Sequence, residues 1–101
     1  MTDAQIQAAI ARGIAKRRTE HLERLTKYDN DLTAKIARAT TAEQIQVIKK
    51  EIDDAFSHHY KRQEKNIEYK HYEDAGYNDD YIETLHELDS KLADREAELG
   101  L

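Results

Sequence analysis

The sequence predicts an all-α fold: a three-helix up-down-up bundle with two long helices and a shorter third, packed in the manner of coiled coils. Three observations carry that expectation. Proline is absent from the 101 residues, 37% of residues are charged and glycine occurs only three times, which is the composition of long helices. Apolar residues recur at three- and four-residue steps through most of the chain. Capping signals punctuate that periodicity at a few points.

Thr2-Asp3-Ala4-Gln5 has the form of a capping box, with Met1 and Ile6 at the positions of a hydrophobic staple. The first helix then carries Ile6, Ile10, Ile14, Leu22, Leu25, Tyr28, Leu32 and Ile36 along one face and ends near residue 38. Asp29-Asn30-Asp31 is its weak point, since short polar side chains compete with the helix for backbone partners. Ala39-Thr40-Thr41 makes a turn, and either threonine can cap the second helix, with Glu43 or Gln44 three residues on. The second helix carries Ile45, Ile48, Ile52, Ala55, Phe56, Tyr60 and Ile67, and Gly76 is expected to end it in the left-handed conformation. Asn78 is then the cap of the third helix, with Tyr77 and Ile82 as a second staple. The seam of that helix, Tyr81, Leu85, Leu88, Leu92 and Leu99, is broken once by Arg95.

Both connections are short, so consecutive helices must be antiparallel neighbours within one domain. On these boundaries the first two helices have roughly 35 residues and span about 50 Å, whereas the third has about 21 and reaches about 30 Å. The third helix would then leave the far tip of the hairpin uncovered. Leu32, Ile36, Ile45, Ile48 and Ile52 are therefore expected to form an apolar patch that a second copy covers, giving a homodimer.

Several function classes find no support. The chain has no cysteine, hence no disulfide framework, thiolate nucleophile or zinc-finger ligand set. It has no glycine-rich phosphate loop, and Ser57 and His58 occupy adjacent helical positions that point apart. Neither an enzyme nor a cofactor is expected. With no signal-peptide pattern and no apolar run approaching about 18 residues, the expectation is a soluble cytoplasmic protein with no membrane partner.

Charge is unevenly placed. The net charge is −5, yet residues 1–38 carry eight basic and five acidic side chains, and residues 73–101 carry two basic and ten acidic ones. Arg12, Lys16 and Lys27 share the outer face of the first helix with Glu20 and Glu23, so direct nucleic-acid binding is not expected. Asp79, Asp80, Glu83, Glu87 and Asp94 form instead an acidic surface suited to a protein partner. A small acidic inhibitor that mimics nucleic acid and blocks a nucleic-acid-binding protein is the alternative.

Two further groupings bear on chemistry. Glu68-x-x-His71 and Glu83-x-x-His86 would converge if the turn between them centred near residue 77, and ferritin-like di-iron carboxylate proteins use that four-residue pair twice. The likeness ends with those motifs. That family adds one Glu from each of two further helices, whereas here only Glu20 and Glu23 of the first helix remain, below the level of the motifs. A carboxylate–histidine metal protein is thus a third reading, and the expectation is no metal. Arg18, His21, His59, Gln63 and Arg95 come to about the same height on the same counting, as a polar layer that fixes register, with His59 buried and neutral. The function expected is a non-enzymatic helical protein-interaction or regulatory module, acting as a homodimer on another protein.

Overall fold

A computed structural model describing residues 1–101 contains three helices and no strand: α1 (Asp3–Arg38), α2 (Ala42–Glu68) and α3 (Tyr72–Leu99). They form an elongated up-down-up bundle of 64 × 26 × 15 Å. Both expected capping boxes are present. The Thr2 side chain accepts from the Gln5 amide while Gln5 reaches back to Thr2, and Thr41 and Gln44 repeat the arrangement at α2. α1 passes unbroken through Asp29-Asn30-Asp31. There the Asp29 carboxylate accepts from the Thr33 hydroxyl at 3.3 Å and faces the Lys91 ammonium at 3.7 Å, so it does not turn back on the backbone.

The second reversal departs from expectation. It lies at Tyr69-Lys70-His71, not at Gly76. Lys70 takes φ 60°, the Lys70 amide donates to the Ile67 carbonyl at 3.0 Å, and the His71 amide donates to Asn66. These are the two bonds of a Schellman closure, with a lysine where glycine is usual. Gly100, at φ 72°, closes α3 in the same way, with its own amide on Ala97 and that of Leu101 on Glu96. Gly76 is an ordinary residue inside α3, and Asn78 is a buried interior residue of that helix, not its cap.

Displacing a hairpin turn by about seven residues shifts each cross-helix partner by about twice that number, so this one difference reorders the bundle. α3 has 28 residues against 27 in α2, and it covers α2 from end to end. Leu32, Ile36, Ile45, Ile48 and Ile52, expected to lie bare at the hairpin tip, are at most 5% exposed. They form one core with Ala39, Leu85, Leu88 and Leu92, flanked by Tyr28, Ala55, Phe56 and Leu99. The length mismatch falls on α1 instead, whose 36 residues outrun the α2–α3 hairpin at its Lys70 end.

Three variants test this arrangement by chemical denaturation. Gly76→Ala is expected to stabilise by about 0.5–1 kcal/mol, because nothing lies within 4 Å of the added methyl and alanine loses less entropy than glycine in a helix. Lys70→Gly is expected to stabilise by about 1 kcal/mol by relieving the left-handed lysine. A destabilising Gly76→Ala would return the turn to Gly76. Ile36→Glu combined with Ile48→Glu is expected to unfold the chain, since both side chains are buried and would carry unpaired charge into the core; a folded monomer would contradict the packing.

Candidate functional site

Below the aliphatic core the bundle changes character. The α1 face that supplies Leu32 and Ile36 supplies His21 three turns earlier, and the α2 face of Ile45 and Ile52 continues to His59. These meet α3 where it carries Tyr77, Asn78, Asp80 and Tyr81. His21 is buried, donates from Nε2 to the Asp80 carboxylate at 2.9 Å and stacks on the Tyr77 ring at 4.1 Å. His59 donates from Nδ1 to the Asn78 side-chain oxygen at 3.3 Å and stacks on Tyr81 at 4.5 Å. Gln63 donates to the Ala75 carbonyl at 3.4 Å and to Asp79 at 3.5 Å. No fully buried side-chain nitrogen or oxygen lacks a partner, so the layer is a set of separate, satisfied hydrogen-bonded pairs bridged by stacked rings.

Three of the five residues expected in a polar layer are thus brought together: His21, His59 and Gln63. Arg95 is not among them. It lies at the opposite end, donating from Nε to the Ala39 carbonyl at 3.0 Å and from a guanidinium nitrogen to Glu98 at 3.0 Å, where it satisfies a carbonyl at the end of α1. The displaced turn puts Tyr81 and Asn78 opposite His59 in its place. Arg18 lines the groove beside His21 and takes no part in the network. Asn78, Tyr77 and Tyr81 are layer residues that sequence reasoning missed; the available signal was the polar Asn78 one turn from Ile82 on the buried side of the third helix.

Local electrostatics follow the geometry. Burial pushes the His59 pKa below its ordinary 6.5, reinforced by His58 and Arg62 and opposed by the bond with Asn78. On the exposed edge, hydrogen bonds from the Tyr77 phenol and from Arg17 hold the Glu73 carboxyl low, and the same phenol–carboxylate bond pushes Tyr77 up.

The two Glu-x-x-His motifs are not brought together. Glu68 ends α2, His71 lies in the turn, and Glu83 and His86 are well inside α3, where the His86 ring packs 4.9 Å from Phe56. No group of three or more His, Asp or Glu side chains is placed to share a metal ion. The acidic residues divide. Asp79, Glu83, Glu87 and Asp94 are exposed on the face of α3 away from the core, whereas Asp80 is drawn in to His21.

Two grooves flank the layer. Between α1 and α3 runs one of about 570 Å³, with an apolar lining from Ile14, Leu22, Leu25, Tyr72 and Tyr77. Its α3 wall carries Glu73, Asp80, Glu83 and Glu87. Between α1 and α2, the least closely packed pair of helices, an open trough presents Arg17, Arg24 and Arg62 around Tyr28 and Tyr81. The α1 side of the first groove belongs to a four-residue-step row, Ile6, Ile10, Ile14, Arg18 and Leu22, whose four apolar members are 41–57% exposed and of which Ile6 and Ile10 lie outside the groove. No helix is long and apolar enough to cross a membrane. No protein-family model, curated protein or solved structure matches this chain.

The layer predicts a pH response. A histidine whose folded pKa is lowered contributes its full stability above the unfolded value of about 6.5, and that contribution is lost as pH falls through 6.5 toward the folded pKa. The His59 imidazole is accordingly expected to titrate below 6.5 by NMR, and His59→Asn to flatten the acid-side loss of stability. A midpoint above 7 would contradict burial as the governing cause.

Proposed function

We propose that the chain is a non-enzymatic interaction module that takes a helix of a partner protein into the groove between α1 and α3. The observation that supports this reading is the two-sided lining of that groove. Its apolar floor runs out onto a bare apolar row of α1, and carboxylates stand along its α3 edge. Exposed aliphatic rows, here interrupted by Arg18, are surfaces that mark interaction sites, and attraction there scales with the apolar area removed from water. The carboxylates set the chemistry of the guest: an amphipathic helix with aliphatic anchors at four-residue steps and Lys or Arg beside them.

A second reading is favoured by one feature, the alignment of Asp79, Glu83, Glu87 and Asp94 on the outer face of α3. Such a stripe could occupy the basic groove of a nucleic-acid-binding protein, with the chain acting as its inhibitor. The two readings differ at Asp94, which lies outside the α1–α3 groove.

Titration of the full chain with a model amphipathic helix of about 18 residues, built from Leu and Lys, tests the first reading. Leu22→Asp, at a 49% exposed position, is expected to weaken binding at least tenfold, whereas Arg62→Ala in the opposite trough leaves it unchanged. Loss of binding on Asp94→Asn, with an affinity that collapses as salt rises, would favour the charge-mimic reading over groove docking.

A further inference from the structure

The open trough between α1 and α2, about 690 Å³ in volume, gathers positive charge from both helices. α1 contributes Arg17, Arg24 and Tyr28, α2 contributes His58 and Arg62, and Tyr81 of α3 lies on the floor. His21 and His59 both touch the Tyr81 ring, at 5.7 and 4.5 Å between centres, which sets these residues of α1 and α2 at one level. Arg17 is four residues from His21 and Arg62 three from His59, both toward Lys70, whereas Arg24 is three residues from His21 in the other direction. The three arginines therefore fall within about 10 Å of the bundle axis at 1.5 Å per residue.

The lining is rich in donors and poor in acceptors. Arg24 and Arg62 enter no ion pair within the chain; the five pairs present involve other residues. Arg62 has no carboxylate one turn away in either direction, its neighbours there being His58, His59, Lys65 and Asn66. Glu20 and Glu23 lie beside Arg24 on the outer face of α1 and stay beyond ion-pair distance. Arg17 holds Glu73 at 3.4 Å through an exposed contact, which is weak. The Tyr77 phenol is taken up by Glu73, whereas those of Tyr28 and Tyr81 donate to no protein group. Asp74 is the one carboxylate in the lining. Positive charge from His58 and Arg62 also acts on the His59 imidazole, where it disfavours protonation. Like charge facing across the trough opposes closure of α1 on α2.

Such a lining, in a chain of net charge −5, calls for a ligand that only accepts. We propose that the trough binds a small oligophosphate between α1 and α2, with Arg17, Arg24 and Arg62 on its oxygens and the phenols of Tyr28 and Tyr81 donating beside them. Each phosphate offers several acceptor oxygens and matches the guanidinium fork, and a chain of two or three phosphates reaches cations on both helices at once. A long polyanion is disfavoured, since beyond the trough it would meet the acidic residues of α3. Asp74 stands toward the Lys70 end and directs the anion toward Arg24. The bound ligand replaces repulsion between α1 and α2 by attraction to a shared partner. This site does not rest on helix docking in the α1–α3 groove.

Isothermal titration calorimetry of the full chain in metal-free buffer, with inorganic tripolyphosphate and ATP as probes up to about 10 mM, reads the outcome. Both are expected to bind as a single equivalent and to raise the melting temperature. Arg24→Ala and Arg62→Ala are each expected to weaken binding about tenfold with unchanged helical circular dichroism, both side chains being exposed. Asp74→Asn is expected to strengthen it, and Arg12→Ala, outside the trough, to leave it unchanged. ATP bound more tightly than tripolyphosphate would identify the source as a nucleotide, and equal affinities an inorganic chain; either supports the site. No binding of either probe, no loss in Arg24→Ala and Arg62→Ala, an equal loss in Arg12→Ala, or citrate bound as tightly as tripolyphosphate would each overturn the inference. An oligothymidylate of about twelve nucleotides bound about tenfold more tightly than ATP would also overturn it, by making the trough a single-strand site.

Discussion

Lys70 holds a left-handed conformation between α2 and α3, and the two backbone bonds that close around it determine which residues of those helices stand opposite one another. From that reversal the pairs follow in order: Gln63 with Ala75 and Asp79, His59 with Asn78 and Tyr81, Phe56 with His86. Ile52 then joins Leu85 and Leu88 in the fully buried centre. A slide of one helical turn would leave Asn78 buried without its imidazole partner, at a cost of about 1–3 kcal/mol for an unsatisfied polar group. Backbone geometry at one residue and the polar layer thus specify the same register, and each makes the alternatives of the other unfavourable.

The bundle divides along its length into a dry part and a wet part. Around the α1–α2 connection, three aliphatic faces close on one another and exclude water. Toward Lys70, rings and hydrogen bonds take over, and α1 is held to α3 by His21 with Asp80 and by Arg17 with Glu73. The second of these pairs is exposed and worth little by itself. The projecting turns of α1 depend on the Thr2–Gln5 capping box and on continuity with a helix already nucleated elsewhere in the chain. They carry aliphatic side chains that such a helix does not need for its own formation.

Much of the fold was legible in the sequence, because capping boxes and apolar periodicity are local. The start of α1, its end near Arg38, the turn at Ala39–Thr41 and the end of α3 all follow from such signals. The second turn was not legible, since Gly76 and Asn78 offer a plausible stop and start whereas a left-handed Lys70 carries no compositional mark. Cross-helix pairing is reckoned from the turn, so that one substitution of lysine for glycine in the reading displaced Arg95 from the layer, separated the Glu-x-x-His pairs and turned an expected surface patch into the core. His21, His59 and Gln63 were nonetheless identified as a layer, because their polarity interrupts the buried faces of α1 and α2 whatever the third helix does. The groove between α1 and α3 was beyond reach, since it depends on the level at which α3 begins.

The gradient from aliphatic core to polar layer implies that the molecule does not open as a single unit. Amides of α2 and α3 beside Ile48, Ile52, Leu85 and Leu88 are shielded by side chains at most 5% exposed and are expected to exchange with solvent through unfolding of the whole chain. Those between about residues 60 and 76 lie in a stretch whose one buried residue is Ala75, and they are released by partial opening at lower free energy. The bundle is in this sense a pair of tweezers pivoted at its aliphatic end, and the groove on its flank is formed by the jaws.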